Sequence, residues 1–137
     1  MRHFNTLIIS SLLILTLFLA ILNTVKDYVG VHYIIDVDNI TSDILYNNKA
    51  LTDICEDTLR LTNVTILNKT RHEFQPQGLT LLYLLAESHF SLHSWPEQGK
   101  LRIDYFSCQN HEKCKIGGQY LQSVFKDATV NVSVLYR

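Results

Sequence analysis

Residues 79–106 read LTLLYLLAESHFSLHSWPEQGKLRIDYF, and this stretch decides the fold class. Leu79 to Ala86 is an apolar run of strand length, rich in Leu and Tyr. His89 to Ser94 alternates, with Phe90 and Leu92 on one face. Trp95-Pro96-Glu97-Gln98-Gly99 turns the chain, because Pro and Gly punctuate regular structure. Leu101, Ile103 and Tyr105 then alternate with Arg102, Asp104 and Phe106. Three strand patterns in succession, joined by short turns, form an antiparallel meander rather than a parallel βαβ unit.

Working outward, the flanks supply the rest. Val31 to Asp38 is β-branched and aromatic and predicts a strand. Asn39 to Ser42 offers cap residues, and a helix is expected from there to about Arg60. Ile44, Leu51, Ile54, Cys55 and Leu59 fall on its apolar stripe. A second strand is expected from about Val64 to Phe74, followed by a turn at Gln75-Pro76-Gln77-Gly78. Gly117-Gly118 is expected to precede a short helix, Gln119 to Lys126. A last strand, Thr129 to Tyr136, alternates at Val130, Val132 and Val134. The order β-α-β-β-β-β-α-β predicts an α+β two-layer sandwich, mainly antiparallel, with both helices on one face.

Composition narrows the function classes. The chain has 137 residues, one domain's worth, and a net charge of −1, which argues against a basic nucleic-acid-binding face. Three cysteines are too few, and odd in number, for a disulfide scaffold. No charged residue occurs from Phe4 to Val25, a run of the length a membrane-spanning helix needs. Residues 1–26 are therefore expected to form a hydrophobic leader, foremost a single-pass signal anchor. A cleaved signal peptide and a buried core helix are the rival readings. Beyond Lys26 stand ten basic and thirteen acidic residues, so residues 27–137 form a mildly acidic domain. The charge count slightly favours placing that domain outside the cell, whereas the chemistry below favours a cytosol-facing domain. Four Asn-x-Ser/Thr triplets, at Asn39, Asn63, Asn68 and Asn131, are read as chance in an Asn- and Thr-rich chain.

Chemistry-bearing residues concentrate in Glu87-Ser88-His89, His93 and Trp95-Pro96-Glu97, with Cys108 twenty residues after Ser88. Each alone has an ordinary structural explanation, such as a turn hydroxyl, a solvated histidine or a small buried thiol. Together they resemble the short prokaryotic type of the S-adenosylmethionine decarboxylase family. Gly30-Val31-His32, His72-Glu73-Phe74, Pro76-Gln77-Gly78 and the closing strand Val130 to Val134 extend the likeness from about Gly30 to the C-terminus. The leader is not part of the family pattern.

The resemblance implies a pyruvoyl enzyme made by self-cleavage between Glu87 and Ser88, giving chains 1–87 and 88–137. The Ser88 hydroxyl would attack the Glu87 carbonyl, and β-elimination from the resulting ester would open the chain. The pyruvoyl cofactor left at Ser88 would bind the substrate amine as a Schiff base and accept electrons as carbon dioxide leaves. No metal is implied. His93 matches the base of processing, a role suited to imidazole. Cys108 matches the proton donor of turnover. Phe74 and Trp95 match the aromatic residues that stack the adenine, and Glu97 matches the carboxylate that holds the ribose hydroxyls. Thr80 stands where a family serine supports processing. The implied substrate is S-adenosylmethionine, and its product would feed spermidine synthesis. Alternatives are a pyruvoyl-dependent arginine or ornithine decarboxylase and an inactive membrane-tethered relative that only binds a ligand or partner.

Strand geometry constrains this picture. Five residues apart on an extended strand, Ser88 and His93 would stand roughly 16 Å apart on opposite faces. A bend or bulge near Ser88 is therefore expected. Thr80 must come close by a fold-back or from a second subunit. The family places its sites at a dimer interface, so a homodimer of cleaved protomers is the expected assembly.

Overall fold

The computed structural model describes residues 28–109 and 111–137. The leader readings, membrane anchor included, fall on residues 1–26 and lie outside the described residues. Among the described residues no helix is long and apolar enough to cross a membrane.

Six strands form one antiparallel sheet: β1 (Val31–Asp38), β2 (Ile66–Glu73), β3 (Leu79–Leu85), β4 (Ser88–Trp95), β5 (Lys100–Ser107) and β6 (Thr129–Tyr136). Their spatial order is β2-β3-β4-β5-β1-β6. Helices α1 (Asn48–Leu61) and α2 (His111–Val124) pack on one face. The expected α+β sandwich with both helices on one side is the architecture found.

The period-2 alternation explains why. Val31, Tyr33, Ile35 and Val37 of β1, Leu79, Leu81, Tyr83 and Leu85 of β3, and Leu101, Ile103 and Tyr105 of β5 are all buried. Leu51, Ile54, Cys55 and Leu59 of α1 and Cys114 and Leu121 of α2 cover them. Burying a side chain of this size contributes about 1.5–3 kcal/mol. The other sheet face has no helix over it among the described residues. Its positions alternate with the core set: Thr80, Leu82 and Leu84 on β3, and His89, Ser91, His93 and Trp95 on β4.

Three details differ from the sequence reading. The first helix does not start after Ser42. A 3-10 turn, Asp43–Tyr46, comes first, and α1 begins at Asn48, where the Asn47 side chain accepts from Ala50 N at 2.9 Å. The second helix starts at His111, so Gly117 and Gly118 lie inside it. Those glycines are packing contacts rather than breakers. A Cβ on Gly117 would meet Thr62 Cγ2 at 2.9 Å and Thr58 Cγ2 at 3.1 Å, so only a bare backbone lets α2 lie this close to the end of α1. Helix α2 then ends at Val124 rather than at Lys126.

Candidate functional site

The site is built on the β3–β4 hairpin. Its tight turn, Ala86-Glu87, reverses the chain so that Thr80 pairs directly with His93. Cross-strand partners in an antiparallel sheet share a face, and the Thr80 hydroxyl lies 2.9 Å from His93 Nδ1. The hairpin folds Thr80 back onto His93 but leaves it at the far end of β4 from Ser88. His93 continues the row to Arg102 of β5 and Asp36 of β1. Arg102 is held by Asp36 at 3.2 Å and Asp38 at 2.8 Å.

Phe74, Trp95 and Glu97 come to the same end of the sheet. Together with Gln77, Gly78, Thr80, His93 and Ser94 they line a cavity of about 270 Å³. Phe74 leaves the end of β2 and is 50% exposed, with the His72 ring edge-on to it at 4.6 Å; Trp95 ends β4 and is 38% exposed, so both residues remain partly open to a ligand. The Trp95 ring stands 6.1 Å from that of His93. Glu97 lies in the 3-10 turn Pro96–Gln98 that follows Trp95.

Local structure fixes the rim. The loop from Phe74 to Gly78 is closed by Phe74 N donating to Gly78 O at 2.9 Å, and it contains a cis Gln75–Pro76 bond. Gly78 adopts φ 111, which side-chain-bearing residues avoid. A Cβ there would also meet Ser94 O at 3.3 Å. Ser94 is buried, and its Oγ accepts from Leu79 N at 2.8 Å, tying the start of β3 to β4.

Ser88 occupies the opposite end of β4. It pairs with Leu85 on one side and Ser107 on the other, and it is half-buried. Cys108, exposed, follows directly on Ser107, so the candidate cleavage residue and the candidate proton donor share this end. Cys55 and Cys114, by contrast, are buried under the helices, and burial pushes the Cys55 thiol well up from its ordinary value.

The bulge expected near Ser88 is absent. Pairing of β4 runs in unbroken register from Ser88 to His93 against β3 and from Ser88 to Trp95 against β5. Hydrogen bonding on both sides holds a central strand extended, which leaves no slack for an extra residue. Ser88 and His93 therefore stay five residues apart, roughly 16 Å, on opposite faces. Each chain thus divides the candidate residues into two groups: Glu87, Ser88 and Cys108 at one end, and Phe74, Thr80, His93, Trp95 and Glu97 at the other.

Sequence reasoning did not single out Gln77 or Ser94 as lining the cavity, or Arg102 as the cross-strand neighbour of His93. A period-2 register drawn outward from Thr80–His93 places Arg102 in the row, and the Pro76–Gly78 turn beside Phe74 carries Gln77 to the rim. Ser94, on the core face, had no such signal.

The chain's likeness to known proteins agrees with this layout. Residues 31–137 match the sequence pattern of the S-adenosylmethionine decarboxylase family. The S-adenosylmethionine decarboxylase proenzyme of Thermodesulfovibrio yellowstonii is 34% identical over 97 residues, covering 71% of this chain and 72% of that one. The proenzyme of the same name from Synechococcus sp. (strain WH7803) is 36% identical over 98 residues, 72% of this chain and 77% of its own. The crystal structure of the adenosylmethionine decarboxylase from Aquifex aeolicus VF5 superposes with a TM-score of 0.75 at 25% identity, covering 82% of this chain and 92% of that one. With its sheet, its hairpin and its motif residues in these places, the chain belongs to the S-adenosylmethionine decarboxylase family.

Proposed function

We propose that this protein decarboxylates S-adenosylmethionine, after cutting itself between Glu87 and Ser88, and so supplies the aminopropyl donor of spermidine synthesis. The observation that carries the reading is the cavity. Two aromatic rings, a carboxylate and the Thr80–His93 pair converge there, and a free basic amino acid has no use for the aromatic pair.

The residues at the cut fit the pyruvoyl group. Ser88 places a hydroxyl beside the Glu87 carbonyl at a tight turn, where the chain can open without dismantling a strand. Once opened, β4 keeps its pairing with β3 and β5, so chains 1–87 and 88–137 remain in one sheet. When formed, the group supplies a carbonyl that takes the substrate amine and withdraws electrons from the bond to the carboxylate. The protein's own residues do the rest. Phe74 and Trp95 stack the adenine, with added attraction for the sulfonium from their faces. Glu97 accepts from the ribose hydroxyls. Cys108 delivers the proton that replaces carbon dioxide, and His93 removes the Ser88 Cα proton during processing.

A homodimer completes the site. Leu82, Leu84 and Leu135, 44%, 56% and 49% exposed, lie on the uncovered sheet face beside Phe106. Two such faces packed with opposed strand directions bring the Ser88–Cys108 end of one subunit to the Thr80–His93 end of its partner. That arrangement removes the end-to-end part of the separation that the unbroken β4 imposes.

The test is the intact mass of the purified protein. Two fragments meeting between Glu87 and Ser88, with a blocked start on the smaller, are expected. Ser88→Ala should remain one chain. A single uncut wild-type chain, or two fragments from Ser88→Ala, contradicts the assignment. Release of carbon dioxide from carboxyl-labelled S-adenosylmethionine, but not from labelled arginine or ornithine, identifies the substrate.

A further inference from the structure

We propose that the side-chain amide of Gln77 reads the edge of the purine, making Gln77 a specificity-determining residue for the 6-amino group. The inference rests on the cavity being the nucleoside site. The cavity holds few polar side chains, and most are committed. The Thr80 hydroxyl and His93 Nδ1 hold each other at 2.9 Å. Ser94 Oγ accepts from Leu79 N at 2.8 Å. Glu97, as a carboxylate, only accepts. Gln77 alone among the lining side chains carries an amide, with N–H donors beside a carbonyl acceptor, and that amide bonds to no other described residue.

Its placement is fixed as well as free. Gln77 is half-buried in the loop that Phe74 N and Gly78 O close at 2.9 Å. Its successor Gly78 packs against Ser94 O and against Phe74 Cβ, within 3.3 and 3.6 Å of where a Cβ would be. Gln77 therefore lines the rim of the cavity, three residues from a ring proposed to cover one face of the base. Adenine presents an amino donor next to a ring-nitrogen acceptor on either side of its C6. A glutamine amide answers both at once, the same pairing by which Asn and Gln read adenine in duplex DNA. Aromatic stacking supplies binding energy without distinguishing one purine from another, whereas a paired donor and acceptor distinguishes them.

The experiment uses full-length protein, 5′-methylthioadenosine and its counterpart lacking the 6-amino group, with affinities from titration calorimetry. Wild type is expected to bind the adenine compound about ten-fold more tightly, the effect of one paired hydrogen bond. Gln77→Leu should bring the two affinities to within about two-fold of each other, mainly by weakening the adenine compound. Gln77→Glu, which keeps the shape but cannot donate to the ring nitrogen, should also weaken it. A wild type that binds both compounds equally, or a Gln77→Leu protein that keeps the wild-type ratio, overturns the role of Gln77 and leaves the nucleoside site standing. A wild type that binds neither compound, while its circular dichroism is that of a folded protein, refutes the nucleoside site itself and the inference with it.

Discussion

Replacing Thr80 with Val tests the link between the hairpin and the proposed self-cleavage. Val keeps the branched shape and removes only the hydroxyl, which lies 2.9 Å from His93 Nδ1 in a partly buried setting. For His93 to act as a base through Nε2, that nitrogen must carry the lone pair. Nδ1 then bears the proton and donates it to Thr80 Oγ1. Without that acceptor the ring loses both its orientation and its preference for this tautomer. A net hydrogen bond of this kind contributes about 0.5–1.5 kcal/mol. At 1.36 kcal/mol per tenfold in rate, that is a slowing of self-cleavage by roughly 2- to 12-fold. The assay follows the appearance of the two fragments by mass spectrometry from freshly refolded precursor. Thr80→Ser keeps the hydroxyl and should cleave at close to the wild-type rate. The reasoning fails if Thr80→Val cleaves as fast as wild type, or if Thr80→Ser is as slow as Thr80→Val.

Two further predictions concern stability. In Gly117→Ala the new methyl would press on Thr58 and Thr62, whose hydroxyls are tied to Ile54 O at 2.8 Å and Leu59 O at 3.0 Å and so resist rotation. Overpacking of about 1–3 kcal/mol outweighs a helix-propensity gain of up to about 1, so thermal melting should shift down by several degrees. Gly118→Ala, whose methyl would meet the Tyr33 ring at 3.4 Å, should be neutral or stabilising, and equal shifts for the two would contradict this account of helix packing. The buried tyrosines predict an alkaline limit. Burial pushes Tyr33 and Tyr105 each up to about 12, so the folded state holds protons that the unfolded chain releases near pH 10. Their contribution is intact below pH 10 and is lost as pH rises from about 10 toward 12. Urea midpoints measured across that window should fall, and the combined Tyr33→Phe and Tyr105→Phe protein should show a flatter fall.

The alternation from His89 to Ser94 and from Leu101 to Phe106, with the short apolar run Leu79 to Ala86 between turn signals, suffices to define the strands of the meander. The chemistry was legible for a related reason. Ser88, His93, Trp95, Glu97 and Cys108 sit close together in sequence, on one hairpin and the strand after it, so their spacing survives as a readable motif. Glycine misled at Gly117 and Gly118, since a local rule treats glycine as a breaker while its use here is a close approach of two helices. Helix α1 starts later than expected because Ser42 makes no side-chain cap bond and leads only into a 3-10 turn, whereas Asn47 accepts from Ala50 N at 2.9 Å.

The sequence by itself determined the strands of the sheet and the inward-facing residues of those that alternate, consequences of local periodicity, and its short-range spacing carries the motif by which the candidate site residues resemble the family. Only the tertiary structure decided how those groups are divided. The unbroken pairing of β4 on both edges keeps Ser88 and Cys108 at one end of the sheet and Thr80, His93, Phe74, Trp95 and Glu97 at the other. Strand pairing joins residues far apart in the chain and separates neighbours along a strand. The second effect follows from strand rise alone; the first, and the absence of a bulge that would have relieved the second, only the tertiary structure decides.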